Sequence, residues 1–159
     1  MTRRTTQYLT FGLDHHFCAI PAAVVKEICP IAKSDPANDQ KRVNAFELRG
    51  VVIPLINFRQ LLGLNDHEGG SDSRIVVVDC LHGFQGIQVD AVQSVIDLPA
   101  LSFPDLVPGE QPIYFERVQI QGHMLVLINI LHCLNPSFKG VEEAFHSITR
   151  PVPAKIRAS

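Results

Sequence analysis

The side chains able to do chemistry in this chain are few and poorly spaced for it. Four cysteines stand at 18, 29, 80 and 133, with gaps of 11, 51 and 53 residues. Those gaps contain no Cys-x-x-Cys pair and no zinc-ribbon spacing. His15, His16 and Cys18 bring metal-ligand types together. Adjacent side chains on a strand point to opposite faces, so His15 and His16 do not easily share one ion, and no fourth ligand lies near in sequence. His132-Cys133 has the residue types of a thiol nucleophile and its base. Chain neighbours act as such a pair only if the fold brings them within hydrogen-bond reach. A buried structural thiol is the expectation for Cys133, and a Cys/His-dependent enzyme is the alternative. No nucleophile-elbow, phosphate-loop or dinucleotide motif occurs. These residues alone therefore point away from a metal site and from a thiol nucleophile.

Charged side chains at strand ends are the other candidates. Arg49 stands between Leu48 and Gly50, at a turn between two apolar runs. A guanidinium there must reach water or a partner, and its planar fork suits carboxylates and carbonyls. Glu27 sits in the short run Val24 to Ile28. Asp90 follows Val89 and is expected to fix its own turn through backbone hydrogen bonds.

The elements that must position these residues read mostly as strands. Apolar, β-branched runs cover Tyr8 to Leu13, Phe17 to Ile20, Val24 to Ile28, Ala45 to Leu48 and Val51 to Phe58. They continue at Arg74 to Leu81, Phe84 to Val89, Val92 to Leu98, Ile113 to Gln121 and His123 to Ile130. Arg49-Gly50 and Gly122 mark hairpin turns. Pro30 to Arg42, Gly63 to Ser73 and the proline-bearing stretch Leu98 to Pro112 read as loops. Short helical turns are expected at Arg59 to Leu62 and Leu131 to Leu134. A longer helix is expected over Ser137 to Ile148, capped by Ser137, with a Phe138, Val141 and Phe145 stripe buried. The tail over 149–159 is expected to be mobile.

Composition bounds the partners. The chain has 159 residues, 46% of them hydrophobic and 19% charged, with a net charge of −2. It is too apolar to be disordered and too near neutral to hold nucleic acid or an anionic bilayer by charge alone. Arg74 and Arg117 stand alone, and there is no Trp. The basic, aromatic-interleaved strand of a nucleic-acid binder is therefore missing. The Met124 to Leu131 apolar run falls short of the ~20 residues a membrane span needs. A soluble cytoplasmic protein with reduced thiols is the expectation.

The chain also matches itself. Phe17-Cys18-Ala19-Ile20, Val25 and Ile28 fall 67 residues before Phe84-Gln85-Gly86-Ile87, Val92 and Val95. Leu55-Ile56-Asn57-Phe58 with Leu62 falls 72 residues before Leu127-Ile128-Asn129-Ile130 with Leu134. This pattern implies two similarly built five-stranded barrels, at about 17–62 and 74–134. A half of about 65 residues is marginal alone, so the two must share a core.

These segments resemble a known family. FELRGVVIPLINFRQLLGL (Phe46 to Leu64) is similar to the Asn-Leu-Arg-Gly signature and the apolar strand and short helix that follow it. SRIVVVDCLHGFQGIQVDAVQSVIDL (Ser73 to Leu98) resembles the second-half signature, VVKEI (Val24 to Ile28) the Val-x-Glu-Ile strand, and MLVLINILHCL (Met124 to Leu134) the closing strand and helix. The family is the CheW-like domain of bacterial chemotaxis coupling proteins; the match runs from about Tyr8 to Leu134, and the domain is expected over 7–135. Glu47 replaces its usual Asn, Asn57 its usual Asp, and Tyr114 to Val118 lacks its glycine-containing run.

The resemblance implies an all-β fold: two five-stranded barrels of the SH3 or OB kind on a shared core, with a short C-terminal helix over 137–148. It implies an adaptor without active site or cofactor. Its partners would be the regulatory domain of a histidine kinase and the cytoplasmic tips of methyl-accepting chemoreceptors, in the cytoplasm at receptor arrays. Carried over residue by residue, Arg49, Glu27 and Val25 become receptor-binding candidates. Leu98, Leu101 and Val95, apolar residues of the second half, are the kinase-binding candidates. An accessory scaffold in another signalling pathway is the alternative within the same class.

Overall fold

A computed structural model describes residues 5–31, 45–65, 70–80, 83–99, 109 and 112–150. Its strands are β1 (Thr5–Leu13), β2 (His16–Pro21), β3 (Val25–Pro30), β4 (Ala45–Leu48) and β5 (Val51–Ile56) in the first half. The second half supplies β6 (Arg74–Cys80), β7 (Gly83–Val89), β8 (Ala91–Pro99), β9 (Phe115–Ile120) and β10 (His123–Ile128). Helices α1 (Phe58–Leu61), α2 (Ile130–Cys133) and α3 (Val141–Thr149) complete the described elements.

The strands form two five-stranded curled sheets, ordered β8-β1-β2-β10-β9 and β3-β6-β7-β5-β4. The repeat is real, but its halves are not the barrels. Each sheet takes three strands from one half and exchanges the first hairpin with the other half. Replacing each strand by its repeat partner turns one order into the other. The registers agree as well: Leu127 pairs in parallel with Ala19, and Leu55 with Gly86. Even the bulges correspond, at Lys26 in β3 and Gln93 in β8, again 67 residues apart. Contiguous barrels at 17–62 and 74–134 are thus replaced by an exchanged pair. The physical reason is the one that makes a lone half marginal, since exchange gives each sheet a partner it cannot leave.

Alternation along the strands places three cores. Tyr8, Ala19, Leu98, Leu125 and Leu127 fill the first curled sheet. Cys29, Ile53, Ile75 and Val77 fill the second. Between the sheets lies the largest cluster, which includes Phe11, Cys18, Val76, Ile87, Val126 and Ile128. Helix α3 closes one side of it through Val141 and Phe145. This helix begins later than expected. Gly140, at φ 85°, breaks the chain just before Val141, while the Asn135 side chain receives the Ser137 N–H in a preceding turn. Phe138 is half-buried before the helix. The end lies at Thr149 rather than Ile148, and the rest of the expected tail, beyond Arg150, falls outside the described residues.

Candidate docking surface

Arg49 and Gly50 have φ of 50° and 82°, both left-handed, which is the two-residue turn that matches strand twist. Glycine is needed at such a position because it lacks the Cβ that clashes there. The turn throws the Arg49 side chain clear of β4 and β5. Its two terminal nitrogens donate to the two carboxylate oxygens of Glu27, at 2.7 and 2.9 Å. The arginine side chain is 73% exposed and the glutamate 27%. Hydrogen bonds from Arg49, and then its charge, hold the Glu27 carboxyl below the usual range. The same contacts raise the Arg49 pKa.

Glu27 lies on β3 and Arg49 at the β4–β5 turn, so the pair spans the two outer strands of the second sheet. Those strands share no ladder among the described residues. The pair is a polar clasp over an open seam. Beside it in the chain stand exposed apolar residues: Ile28 after Glu27, and Val51 and Val52 after the turn, the last 66% exposed. An ion pair in water is worth little to the fold. Exposed β-branched residues next to it are the mixed polar and apolar make-up of a docking surface.

Val25 does not join this surface. The bulge at Lys26 breaks the alternation between Val25 and Glu27. Glu27 keeps the face of Cys29, whose Sγ donates to its carboxylate, whereas Val25 packs against the core between the sheets.

The second-half candidates separate too. Val95 is 54% exposed on the outer face of β8, at the position matching Ile28. Leu98 is 7% exposed and belongs to the core of the first sheet. It cannot present itself as a surface anchor, and its expected docking role is corrected to a packing one. The reason is parity: Leu98 and Ile96 share the inward face that Val95 opposes. Leu101 lies outside the described residues.

One constellation was not legible beforehand. Arg59, in the first turn of α1, is buried and bonds Asp14 and Asp90, with Nη2 2.8 Å from Asp90 Oδ2. Its Nη1 donates to the Asn65 carbonyl at 2.6 Å. Burial alone would lower the Arg59 pKa, and the two carboxylates outweigh it. Asp90 also accepts the Asp14 backbone N–H and gives its own N–H to the Gly12 carbonyl. It thus ties two turns together rather than only its own. An arginine after Phe58 in an apolar helical turn carries no sequence signal that it is paired.

The chemically suggestive cysteines are packed. Cys18 and Cys133 are buried, and burial pushes the Cys18 thiol to about 12 and the Cys133 thiol further up. A nucleophilic thiol needs the opposite shift. His132 Nδ1 pairs with Asn129 Nδ2 at 2.9 Å. Among the described residues no three His, Cys, Asp or Glu side chains are grouped to hold a metal, and no helix is long and apolar enough to cross a membrane.

Two interleaved five-stranded sheets with a clasped turn at one sheet's open seam define a paired, curled β-sheet domain. The comparisons with known proteins make the class specific. The CheW-like domain family matches residues 7–137, and the chain belongs to that family. It is similar to the scaffolding protein TtCheW from Thermoanaerobacter tengcongensis, at 22% identity and a TM-score of 0.66, over 87% of this chain and 93% of that one. No curated protein matches the sequence.

Proposed function

We propose that this protein is a non-enzymatic adaptor in a chemotaxis-like two-component pathway. It joins the regulatory domain of a histidine autokinase to the cytoplasmic tips of methyl-accepting chemoreceptors, at membrane receptor arrays. It needs no cofactor, nucleic acid or insertion into the bilayer. The observation that carries the reading is the exposed Arg49–Glu27 clasp, flanked by Ile28, Val51 and Val52, in a chain of the CheW-like family. A receptor hairpin exchanges carboxylates and carbonyls for Glu27 at the Arg49 fork and covers the exposed valines. Val25 acts from beneath by seating β3. On the kinase side Val95 is the accessible anchor, and Leu101 is the further candidate.

The test is receptor co-sedimentation beside a thermal melt. Arg49→Glu sets a carboxylate against Glu27 and against receptor carboxylates. It should lower receptor binding by about tenfold or more, with a melt close to wild type. The swap Arg49→Glu with Glu27→Arg restores a clasp of reversed polarity and should still fail to bind. Binding recovered by the swap would make the clasp merely structural. Val95→Asp should weaken kinase pull-down without weakening receptor binding.

A further inference from the structure

The docking surface leaves a histidine cluster unused where α3 packs against the start of β2. His16 opens β2, half-buried, and its ring lies 4.3 Å from that of His15. From the other side Phe145 of α3 meets the His16 ring edge-on at 5.1 Å and the Phe115 ring at 5.4 Å. His146, the next residue, adds a third imidazole to the electrostatics of His16. A cleft of about 630 Å³ opens beside them, lined by Asp14, His15, His16, Gln93, His123 and Met124. The cluster is not a metal site by geometry.

We propose that α3 is a proton-controlled latch, docked while the His16 ring is neutral and released when that ring takes up a proton. The helix is short, and tertiary packing rather than propensity holds it. That packing includes the Phe145–His16 ring contact and the close fit of α3 over the loop after α1. A Cβ on Gly63 would sit 2.6 Å from His146 Nε2 and from Glu142 Cγ. Charging His16 places a cation in a half-buried site beside the edge-on Phe145 contact and near two other imidazoles.

The groups around His16 fix the sign. Burial first, then His15 and His146, lower its pKa, and Asp14 opposes them in part. The Asp14 carboxylate is shared with Arg59, which also holds Asp90. Glu142 lies beside His146 on α3, and His123 enters the cleft from β10. The docked state therefore binds fewer protons at His16 than the released state. Docking is at full strength above the ordinary imidazole range near 6.5 and is lost as pH falls through and below it. Release exposes Val141 and Phe145, which are buried in the docked state.

The test is amide hydrogen exchange on the full chain, corrected for intrinsic rates, at about pH 7.5 and about pH 5.5, either side of the imidazole range. Protection over α3 should fall by at least about fivefold at the lower pH, reporting local opening, while β1, β2 and β10 keep theirs. His16→Phe retains a ring against Phe145 without a charge and should flatten the pH dependence. His146→Gln, at an exposed position, should reduce it and is safe for folding. Equal α3 protection at the two pH values overturns the latch. So does a loss that both variants leave unchanged, or one shared by every strand at once.

Discussion

Removing the Arg59 guanidinium tests whether a buried ion network, rather than apolar packing alone, locks the two halves together. Arg59 is 7% exposed, while the Asp14 and Asp90 side chains are 31% and 25% exposed. Breaking a fully buried pair by removing one partner costs about 3–5 kcal/mol, because the remaining charge is stranded. Here water reaches the carboxylates in part, so the lower end applies. Arg59→Met, which keeps much of the side-chain volume, should cost about 3 kcal/mol. For a chain of this size that is a fall in melting temperature of about 6–12 °C. Urea unfolding should show a lower midpoint at an unchanged slope. Stranded charge has a second signature. In the Arg59→Met background, Asp14→Asn and Asp90→Asn should recover part of the loss, whereas each alone should destabilise wild type. Asn also tolerates the left-handed φ of 54° at position 14. A melt within a degree or so of wild type would refute the argument, as would neutralisations that only add to the damage.

Other substitutions test the remaining packing. Leu98→Ala should cost about 2–4 kcal/mol in a chemical melt, as a core truncation does, whatever it does to kinase binding. Gly86→Ala should overpack the second sheet, since its Cβ would lie 2.8 Å from Phe46 Cε1 and 3.0 Å from Ile75 Cγ2. The expected cost is about 1–3 kcal/mol in the same assay. Glu27 gives a titration test by carboxyl NMR: Arg49→Ala should move its pKa up towards the ordinary value. Because the folded pKa is depressed, any stability from the clasp is present above the ordinary carboxylate range near 4.3. It fades as pH falls through the folded pKa, so wild-type and Arg49→Ala melts should converge in acid.

The strands were legible because their alternation is local. Ala45 to Leu48 matches β4 residue for residue, and Arg74 to Leu81 matches β6 as far as Cys80, Leu81 lying outside the described residues. The Asn57 departure from the family's usual residue was also interpretable afterwards. Asn57 follows β5 and caps α1, accepting the Gln60 N–H at 3.0 Å. The exchange of hairpins was not legible. Sequence offsets reveal which strands are alike but not which ones pair, and the matched β2 and β7 fit either sheet equally well. Burial at strand ends failed for a related reason. Leu98 and Val95 are both apolar on one strand, and only its pairing with β1 shows which face is inside. The partner of Arg49 was within reach, since Glu27 carried the same expected role. The bulge that turns Val25 away was not, because nothing in Val-Val-Lys-Glu-Ile marks a register shift.

The exchange also explains why the candidate docking surface exists. Glu27 and Arg49 both come from the first half, yet their strands are not neighbours. Between β3 and β5 lie β6 and β7, supplied by the second half. The hairpin of one half thus sets the distance between the two charges of the other. That same hairpin runs directly into β8 through Asp90, which Arg59 pins, and β8 carries Val95. Strand β7, which separates β6 from β5 in the clasped sheet, is thus continuous through Asp90 with the strand that carries Val95. The counterpart turn in the other sheet has the same backbone, with Gln121 at φ 50° and Gly122 at 82°. But Gln121 replaces the arginine, and Ser94 stands where the repeat would place the glutamate. The repeat gives two equivalent frames, and among the described residues the charged clasp stands on one of them. The exposed apolar positions Ile28 and Val95 were kept on both. The two sheets are thus one architecture that differs in charge and shares a continuous hairpin.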